Sequence, residues 1–280
     1  MHRLDEQAVH PHPKRRWAWL SWLSRRIANN SVFYRSPLRL VRYCLALSGI
    51  GPRGVRIVHL SDLHVRDLEG EWVSELMAIL GSLSPDVLLL TGDYAYSYSW
   101  DPLPATVVVS WIARRFEKAE IFAVAGNSDH PRALERIFRA TGVRLLVNEG
   151  QLLQLPGGRL WVGGVDDPHH SKDDPALALR GRPEGVAAVL LAHSPDVLLR
   201  PQSLGADLVV VGHTHGGQVC LPGLGPLVTK TRIGRKFTGG LYRKDGTWVV
   251  VSRGLGGVPL RVRCPREVVV IELVGEDQQG

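Results

Sequence analysis

From residue 54 onward, short apolar runs alternate with longer stretches in which hydrophobic residues recur at helical spacing. Such runs, rich in β-branched residues, are typical of strands that are buried on both faces. They predict strands at residues 55–60, 87–90, 121–124, 160–165, 188–191, 208–211, 248–251 and 268–273. The periodic stretches predict helices at residues 71–83, 105–118, 131–141 and 195–203. Strands that alternate with helices in this way predict a layered α/β domain.

The first 53 residues have a different pattern, in which apolar residues recur between clusters of arginine. Helical spacing relates four of these residues: Trp17, Leu20, Leu23 and Ile27. A second apolar stretch at residues 38–47 is interrupted by two arginines and predicts another short helix. Both stretches are shorter than the roughly 20 residues of a membrane span. The pattern therefore predicts an interfacial helix rather than a spanning one.

The charge is concentrated in this N-terminal part of the chain. The whole sequence has a formal net charge of +7, whereas residues 54–280 have a net charge of −1. We therefore divide the chain into a basic amphipathic extension at residues 1–53, a domain at 54–275 and a polar tail at 276–280. The extension predicts contact with an anionic membrane surface through residues 14–47, and the slightly acidic domain disfavours nucleic acid. Alternatively, its helices pack on the domain and their arginines are solvated.

The cysteines exclude one class of metal site. Cys44, Cys220 and Cys264 are far apart, and the sequence has no C-x-x-C pair. The spacing indicates neither a disulfide framework nor a cysteine-built zinc site. Metal ligands would have to be His, Asp or Asn side chains.

Residues of these types follow five of the predicted strands. They are Asp62 and His64, Asp93, Asn127, His193, and His213 with His215. Because the carboxyl ends of strands in open α/β sheets form the ligand crevice, we expect the seven side chains to converge. In D-x-H and H-x-H, an extended backbone would point both side chains the same way.

Each of these residues also has a structural interpretation when it is taken alone. Asp62 is suited to cap a helix, and Asp93 and Asn127 are common turn formers. A single buried histidine such as His193 is more often a hydrogen-bonded core residue than a ligand. Their occurrence together, at successive strand ends, favours a metal site.

The motifs resemble those of the calcineurin-like metallophosphoesterase superfamily over about residues 54–275. They are Asp62-Leu63-His64, Gly92-Asp93, Gly126-Asn127-Ser128-Asp129, His193 and Gly212-His213-Thr214-His215. Residues 212–219, 240–242, 252–256 and 259–261 narrow the resemblance to bacterial membrane-associated phosphodiesterases, which include UDP-2,3-diacylglucosamine hydrolases of lipid A synthesis. The resemblance implies an α/β sandwich of two mixed sheets flanked by helices, here with a helical N-terminal extension.

The resemblance also implies two divalent metal ions and no organic cofactor. The first ion would be bound by Asp62, His64 and His215, the second by Asn127, His193 and His213, with Asp93 bridging the two. A hydroxide shared by the ions would attack the phosphorus atom of an anionic phosphate ester. This donor set suits Mn, Fe or Zn. The candidate catalytic residues are Asn127, Ser128, His130 and His213.

One position departs from the family pattern. The family usually has a histidine after Gly-Asn, where it stabilises the transition state or protonates the leaving group, and this chain has Ser128 there. His130 lies two residues later and is either a replacement or an ordinary turn residue. Without a strong general acid, the site would favour leaving groups that need no proton, such as a nucleotide monophosphate.

Three functions are consistent with the sequence. The first is a phosphodiesterase or pyrophosphatase that acts on a lipid-linked substrate such as UDP-2,3-diacylglucosamine, located peripherally at the cytoplasmic face of the cell membrane. The second is a soluble phosphodiesterase or phosphatase for nucleotides or nucleic acid. The third is a scaffold without catalysis, against which the complete set of seven ligand types argues.

Overall fold

The computed structural model describes residues 37–66, 68, 71–96, 102–223, 225–257 and 260–276. The first sheet contains β1 (Leu38–Ala46), β2 (Val55–Leu60), β3 (Val87–Leu90), β4 (Glu120–Ala123), β5 (Arg144–Leu145) and β14 (Arg266–Val274). The second contains β6 (Glu149–Leu155), β7 (Gly158–Gly164), β8 (Ala187–Leu191), β9 (Leu208–Val211), β12 (Gly240–Lys244) and β13 (Thr247–Val251). The short strands β10 (Cys220–Leu221) and β11 (Gly225–Pro226) form a separate hairpin.

Both sheets are mixed. The first has the order β1-β14-β2-β3-β4-β5, in which β2 to β5 are parallel and β14 is antiparallel to β2. The second has the order β12-β13-β9-β8-β7-β6, in which β13, β9, β8 and β7 are parallel and the two edge strands are antiparallel. As a result, the carboxyl ends of the central strands of each sheet lie at one edge.

The two sheets pack against each other and are covered on their outer faces by helices. Between them, side chains such as Ile57 and Leu89 of the first sheet contact Val189 and Val210 of the second. Helices α1 (Glu71–Gly81), α2 (Leu103–Arg115) and α3 (Pro131–Thr141) cover the first sheet. Helix α4 (Pro175–Leu179) and several 3₁₀ turns cover the second. The predicted sandwich of two mixed sheets flanked by helices is confirmed.

The predicted helix at residues 38–47 was wrong. This stretch is strand β1, which pairs in parallel with β14 along its whole length. Its arginines Arg39 and Arg42 are exposed while Leu45 is buried, as expected for an edge strand with one covered face. Leu45 and Leu47 pack in the core between the sheets, so this part of the predicted membrane contact belongs to the folded domain.

The predicted helix at residues 195–203 is replaced by two 3₁₀ turns, Pro195–Leu199 and Pro201–Gly205. Arg200, between them, has an extended backbone with φ −90° and ψ 113°. The cause is Pro201, because a proline ring disfavours helical geometry in the residue before it.

The rest of the predicted extension, residues 1–36, lies outside the described residues, and so do the last four residues of the predicted tail. Among the helices that are described, none combines the length and the apolar character needed to cross a bilayer.

Candidate metal centre

The seven predicted ligands converge where the carboxyl ends of the two sheets meet. Asp93 is at the centre, in the loop after β3. Its Oδ2 atom lies 3.3 Å from His64 Nε2, and its Oδ1 atom lies 3.6 Å from His193 Nε2. The two oxygens of one carboxylate therefore face histidines from the two predicted ligand groups.

The first group is Asp62, His64 and His215. His64 Nε2 lies 3.3 Å from His215 Nε2, and His215 Nε2 lies 3.5 Å from Asp62 Oδ1. That oxygen is buried and accepts no hydrogen bond from the described residues, whereas Asp62 Oδ2 accepts from Ser61 Oγ and from the backbone N of His213. A buried carboxylate oxygen without a donor is costly. A cation between these atoms removes that cost, so the residues fit a metal ion.

The second group is Asn127, His193 and His213. His193 Nε2 lies 3.0 Å from Asn127 Oδ1 and 3.1 Å from His213 Nδ1. The other nitrogen of each ring lies close to a carbonyl oxygen: His193 Nδ1 is 2.7 Å from Thr91 O, and His213 Nε2 is 3.1 Å from Lys230 O. Because a carbonyl only accepts, those nitrogens donate. The nitrogens that face each other are thereby oriented to bind a cation.

The buried carboxylates of the cluster shift the pKa values of the neighbouring histidines. Burial favours the neutral form of Asp93, but His193 and His64 outweigh it and lower its pKa to about 2. Burial likewise lowers the pKa of His193, but Asp93 and Asp62 outweigh that effect and raise it to about 9. Burial and the neighbouring His193 lower the pKa of His213 to about 4. Near neutral pH, His193 is therefore protonated and positively charged when no metal is bound. A metal ion that binds there would release this proton and supply the positive charge instead.

The backbone at these ligands is not extended, so the extended segments predicted for D-x-H and H-x-H were wrong. Five ligands have a positive φ: Asp62 (51°), His64 (41°), Asp93 (56°), His213 (70°) and His215 (50°). In this left-handed region an L-residue costs on the order of 1 kcal/mol or more. The chain turns sharply just beyond each strand, and these turns direct the side chains to a common point. Such strain is concentrated at functional sites in proteins.

Glycine at position 212 allows the two sheets to approach each other at the site. A Cβ atom there would overlap Ser61 Oγ and Asp62 Oδ2. The position of Asp62 therefore requires glycine at residue 212, directly before His213.

Gly212→Ala is expected to lower the free energy of unfolding by about 1–3 kcal/mol, the usual cost of overpacking, and to reduce metal content by displacing Asp62. Denaturant unfolding and elemental analysis would measure both effects. Gly81→Ala is the control, because a Cβ atom there meets nothing within 4 Å. If Gly212→Ala retains the stability and metal content of the parent chain, the close approach is not required.

Ser128 contacts Asp93 directly. Its backbone N donates to Asp93 Oδ1 at 2.9 Å and its hydroxyl donates to Asp93 Oδ2 at 3.0 Å. His130 is the N-cap residue of α3, and its Nδ1 accepts from the backbone N of Arg132 at 3.2 Å. The predicted catalytic roles of Ser128 and His130 stay predictions.

A side chain that the sequence did not predict to be functional holds the Asp93 and Asn127 loops together. Asp129 accepts from the backbone N of Asp93, Tyr94 and Gly126 at 2.8 to 2.9 Å. Burial and the nearby Asp93 raise the pKa of Asp129 to about 7. Its position two residues after Asn127 was the only signal in the sequence. The backbone carbonyls of Thr91 and Lys230 orient His193 and His213. Because every residue has a backbone carbonyl, the sequence could not identify these two positions.

The neighbouring aromatic residues have different environments. Tyr94 is buried and its hydroxyl donates to the backbone O of Val124, so it belongs to the core. Tyr96 lines the cleft beside His64, and the Arg66 guanidinium lies 3.7 Å from its ring centre. Arg261 is buried, and its Nη2 atom lies 3.1 Å from His215 Nδ1.

Comparison with known proteins identifies the family. Residues 55–217 match the calcineurin-like phosphoesterase family. The chain is 29% identical over 233 residues to the metallophosphoesterase YkuE of Bacillus subtilis, covering 79% of each chain. It is 28% identical over 244 residues to the phosphodiesterase YaeI of Escherichia coli, covering 84% of this chain and 88% of that protein. The sulfate thiohydrolase SoxB of Thermus thermophilus superposes with a TM-score of 0.46 and 16% identity, and the match covers 83% of this chain and 58% of that longer one. The chain therefore belongs to the calcineurin-like phosphoesterase family of metal-dependent phosphoester hydrolases.

Proposed function

We propose that the chain hydrolyses a phosphodiester or pyrophosphate with two divalent ions, one held by Asp62, His64 and His215 and the other by Asn127, His193 and His213. The observation that carries this proposal is the position of Asp93. Its two oxygens face His64 and His193, which belong to different groups. A carboxylate between two cations balances part of the charge of both, which suits Asp93 as a bridge.

Divalent ions at such a centre would stabilise charge on the phosphoryl oxygens and make a bound water acidic. The protein contributes the arrangement of the ligands. Ser128 orients the Asp93 carboxylate through its N–H and hydroxyl, and Asp129 fixes the Asp93 loop from the other side. Asn127 and His213 both lie in the cleft, where they can contact a substrate phosphate. Imidazole, carboxylate and amide donors together suit Mn, Fe or Zn.

The substrate that we propose is lipid-linked, such as UDP-2,3-diacylglucosamine, at the inner face of the cell membrane. Three features support it. The C-terminal motifs resemble membrane-associated phosphodiesterases, residues 1–36 contain seven Lys and Arg residues and only two acidic residues, and Ser128 stands where a proton-donating histidine is usual. A nucleotide monophosphate needs no proton to leave, so a pyrophosphate suits this site.

Metal removal tests the centre itself. We expect the purified chain to contain two ions and to hydrolyse bis-p-nitrophenyl phosphate, and a chelator should abolish hydrolysis. At ion concentrations about a thousand times Kd, loss of the ions should lower Tm by roughly 10 °C, since bound ions stabilise only the folded state. Added Mn should restore both properties. Hydrolysis that persists after complete removal of metal would contradict the proposal, and metal binding without turnover of any ester would indicate a scaffold.

The substrate class is tested by turnover of UDP-2,3-diacylglucosamine beside nucleotide diesters and bis-p-nitrophenyl phosphate. The proposal expects kcat/KM to be highest for the lipid-linked pyrophosphate. A preference for a nucleotide diester would instead identify a phosphodiesterase for soluble substrates.

Membrane contact by the N-terminal extension is a separate proposal. Deleting residues 1–30 is expected to weaken binding to anionic vesicles while leaving turnover of bis-p-nitrophenyl phosphate nearly unchanged, because all seven proposed ligands lie beyond residue 60. Vesicle sedimentation measures the first quantity. Equal binding by the full and shortened chains would exclude the extension as an anchor.

A further inference from the structure

Two cysteines that are far apart in the sequence lie together beside the metal centre. The Cys220 Sγ atom lies 3.2 Å from the backbone O of Gly216, and the Cys264 Sγ atom lies 3.0 Å from the same oxygen. The two thiols also share a hydrogen bond. The fold brings them together because the backbone N of Cys220 donates to Val262 O at 3.0 Å.

The oxygen that both thiols contact belongs to the residue directly after the proposed ligand His215. Gly216 is buried, and each thiol is placed to donate to its carbonyl. A disulfide has no S–H group and cannot donate. Oxidation of the pair would therefore take both thiol donors from a buried carbonyl, which is costly unless the backbone at Gly216 moves.

A second contact connects the cysteine pair to His215. Arg261 donates from Nη1 to the backbone O of Cys264 at 3.5 Å, and its Nη2 atom lies 3.1 Å from His215 Nδ1. Arg261 and Cys264 are both buried. Because protein interiors are closely packed and transmit strain, a shift of Cys264 would act on the His215 ring as well as on its backbone.

We propose that Cys220 and Cys264 form a reversible disulfide when the chain meets a small disulfide oxidant such as oxidised glutathione, and that this bond weakens metal binding at His215. Cys220 is half-buried and can be reached by the oxidant, whereas Cys264 is buried. Burial and the neighbouring Cys220 raise the pKa of the Cys264 thiol to about 12. Cys220 therefore reacts first.

The reaction is a two-step thiol–disulfide exchange. The Cys220 sulfur, having lost its proton, attacks one sulfur of oxidised glutathione, and the first glutathione leaves and takes up a proton. The Cys264 sulfur then loses its proton and attacks the Cys220 sulfur, and the second glutathione leaves in the same way. Two electrons and two protons pass from the cysteines to the oxidant, so one protein disulfide and two glutathione thiols are formed.

Peptide masses test the disulfide in the full chain, which is first reduced and then exposed to oxidised glutathione. After free thiols are blocked with N-ethylmaleimide and the chain is digested, we expect one peptide pair joined through Cys220 and Cys264. Excess reduced glutathione should separate it. Cys220→Ser should give no joined pair. Cys44→Ser is the matched control, because Cys44 is exposed on β1, and it should give the same joined pair as the parent chain.

Metal titration tests the effect on the centre. Oxidation is expected to lower the affinity for one Mn ion by about 10- to 100-fold, as do other changes to the groups that support a metal-binding histidine. One ion is affected because His215 belongs to the first ligand group only. In Cys220→Ser the hydroxyl can still donate to Gly216 O, so this variant should keep the affinity of the parent chain before and after exposure to the oxidant.

The outcomes separate this proposal from the proposed function. Glutathione attached to single cysteines without a joined pair, or a pair that forms only in denaturant, would refute the disulfide. Equal metal affinity of the reduced and oxidised chains would refute its effect on His215. That effect rests on the proposed function, whereas the disulfide does not. If the reduced parent chain binds no ion, the proposed function and the effect both fail, and the peptide masses still show whether the disulfide forms.

Discussion

Replacing Asp93 by asparagine is expected to reduce phosphoester hydrolysis by more than about 100-fold and to remove at least one metal ion from the chain. Changing a residue that merely supports a ligand costs about 10- to 100-fold in affinity or activity, so loss of a bridging carboxylate should cost more. The amide has similar volume and can still accept from the backbone N of Ser128, which now donates to Asp93 Oδ1. The fold should therefore be retained.

Elemental analysis, circular dichroism and hydrolysis of bis-p-nitrophenyl phosphate together measure this outcome. Asp245→Asn is the matched control, because Asp245 is exposed, lies in a turn and pairs with Lys244. It should change neither metal content nor turnover. Two ions bound with full activity in Asp93→Asn would rule out the bridging role.

Replacing Ser128 by histidine is expected to accelerate esters with poor leaving groups selectively. In the parent chain, rates should fall steeply as the pKa of the leaving group rises, and pyrophosphates should react faster than alkyl phosphodiesters. A histidine in this position could donate a proton, and the gain should be at most the roughly 10²- to 10⁴-fold of a well-placed acid. The gain will be smaller if the lost hydroxyl bond to Asp93 disturbs that carboxylate.

Two further variants test whether the effect of Ser128→His comes from the added acid, from the lost hydroxyl bond or from His130. Ser128→Ala removes the hydroxyl bond to Asp93 without adding an acid, and its effect should be equal for good and poor leaving groups. His130→Ala tests whether the N-cap residue of α3 is already the acid. A complete loss of alkyl ester turnover in His130→Ala, or parent rates that are independent of leaving-group pKa, would contradict the preference for pyrophosphates.

The sequence determined the central strands and one helix almost to the residue. The predicted strands at 55–60, 87–90 and 208–211 coincide with β2, β3 and β9, because strands buried on both faces require continuous apolar runs. Helix α3 has local signals at both ends, a proline at its start and Gly142 with φ 69° after its end. The edge strands β1, β6 and β12 were missed, because one covered face leaves only a weak pattern.

The residue types and the chain order of the metal centre could also be predicted from the sequence. Each ligand lies within four residues of the end of a strand, and the position of a strand end is a local property. The sequence alone did not predict the positive φ at five ligands or the role of Asp129. Asp and His adopt a left-handed backbone more often than most residues, but this preference does not identify which positions do so. The surrounding contacts maintain these turns.

Which ligands meet depends on contacts between elements that are far apart in the chain. Asp62 Oδ2 accepts from the backbone N of His213, 151 residues later, and this bond exists because the two sheets pack with their carboxyl edges together. His193 and His213 follow the neighbouring strands β8 and β9. Their rings are oriented by the carbonyls of Thr91 and Lys230, which any residue type would provide. Contacts of this kind depend on distances between separate elements, and such distances are set by packing across the whole core rather than by local sequence.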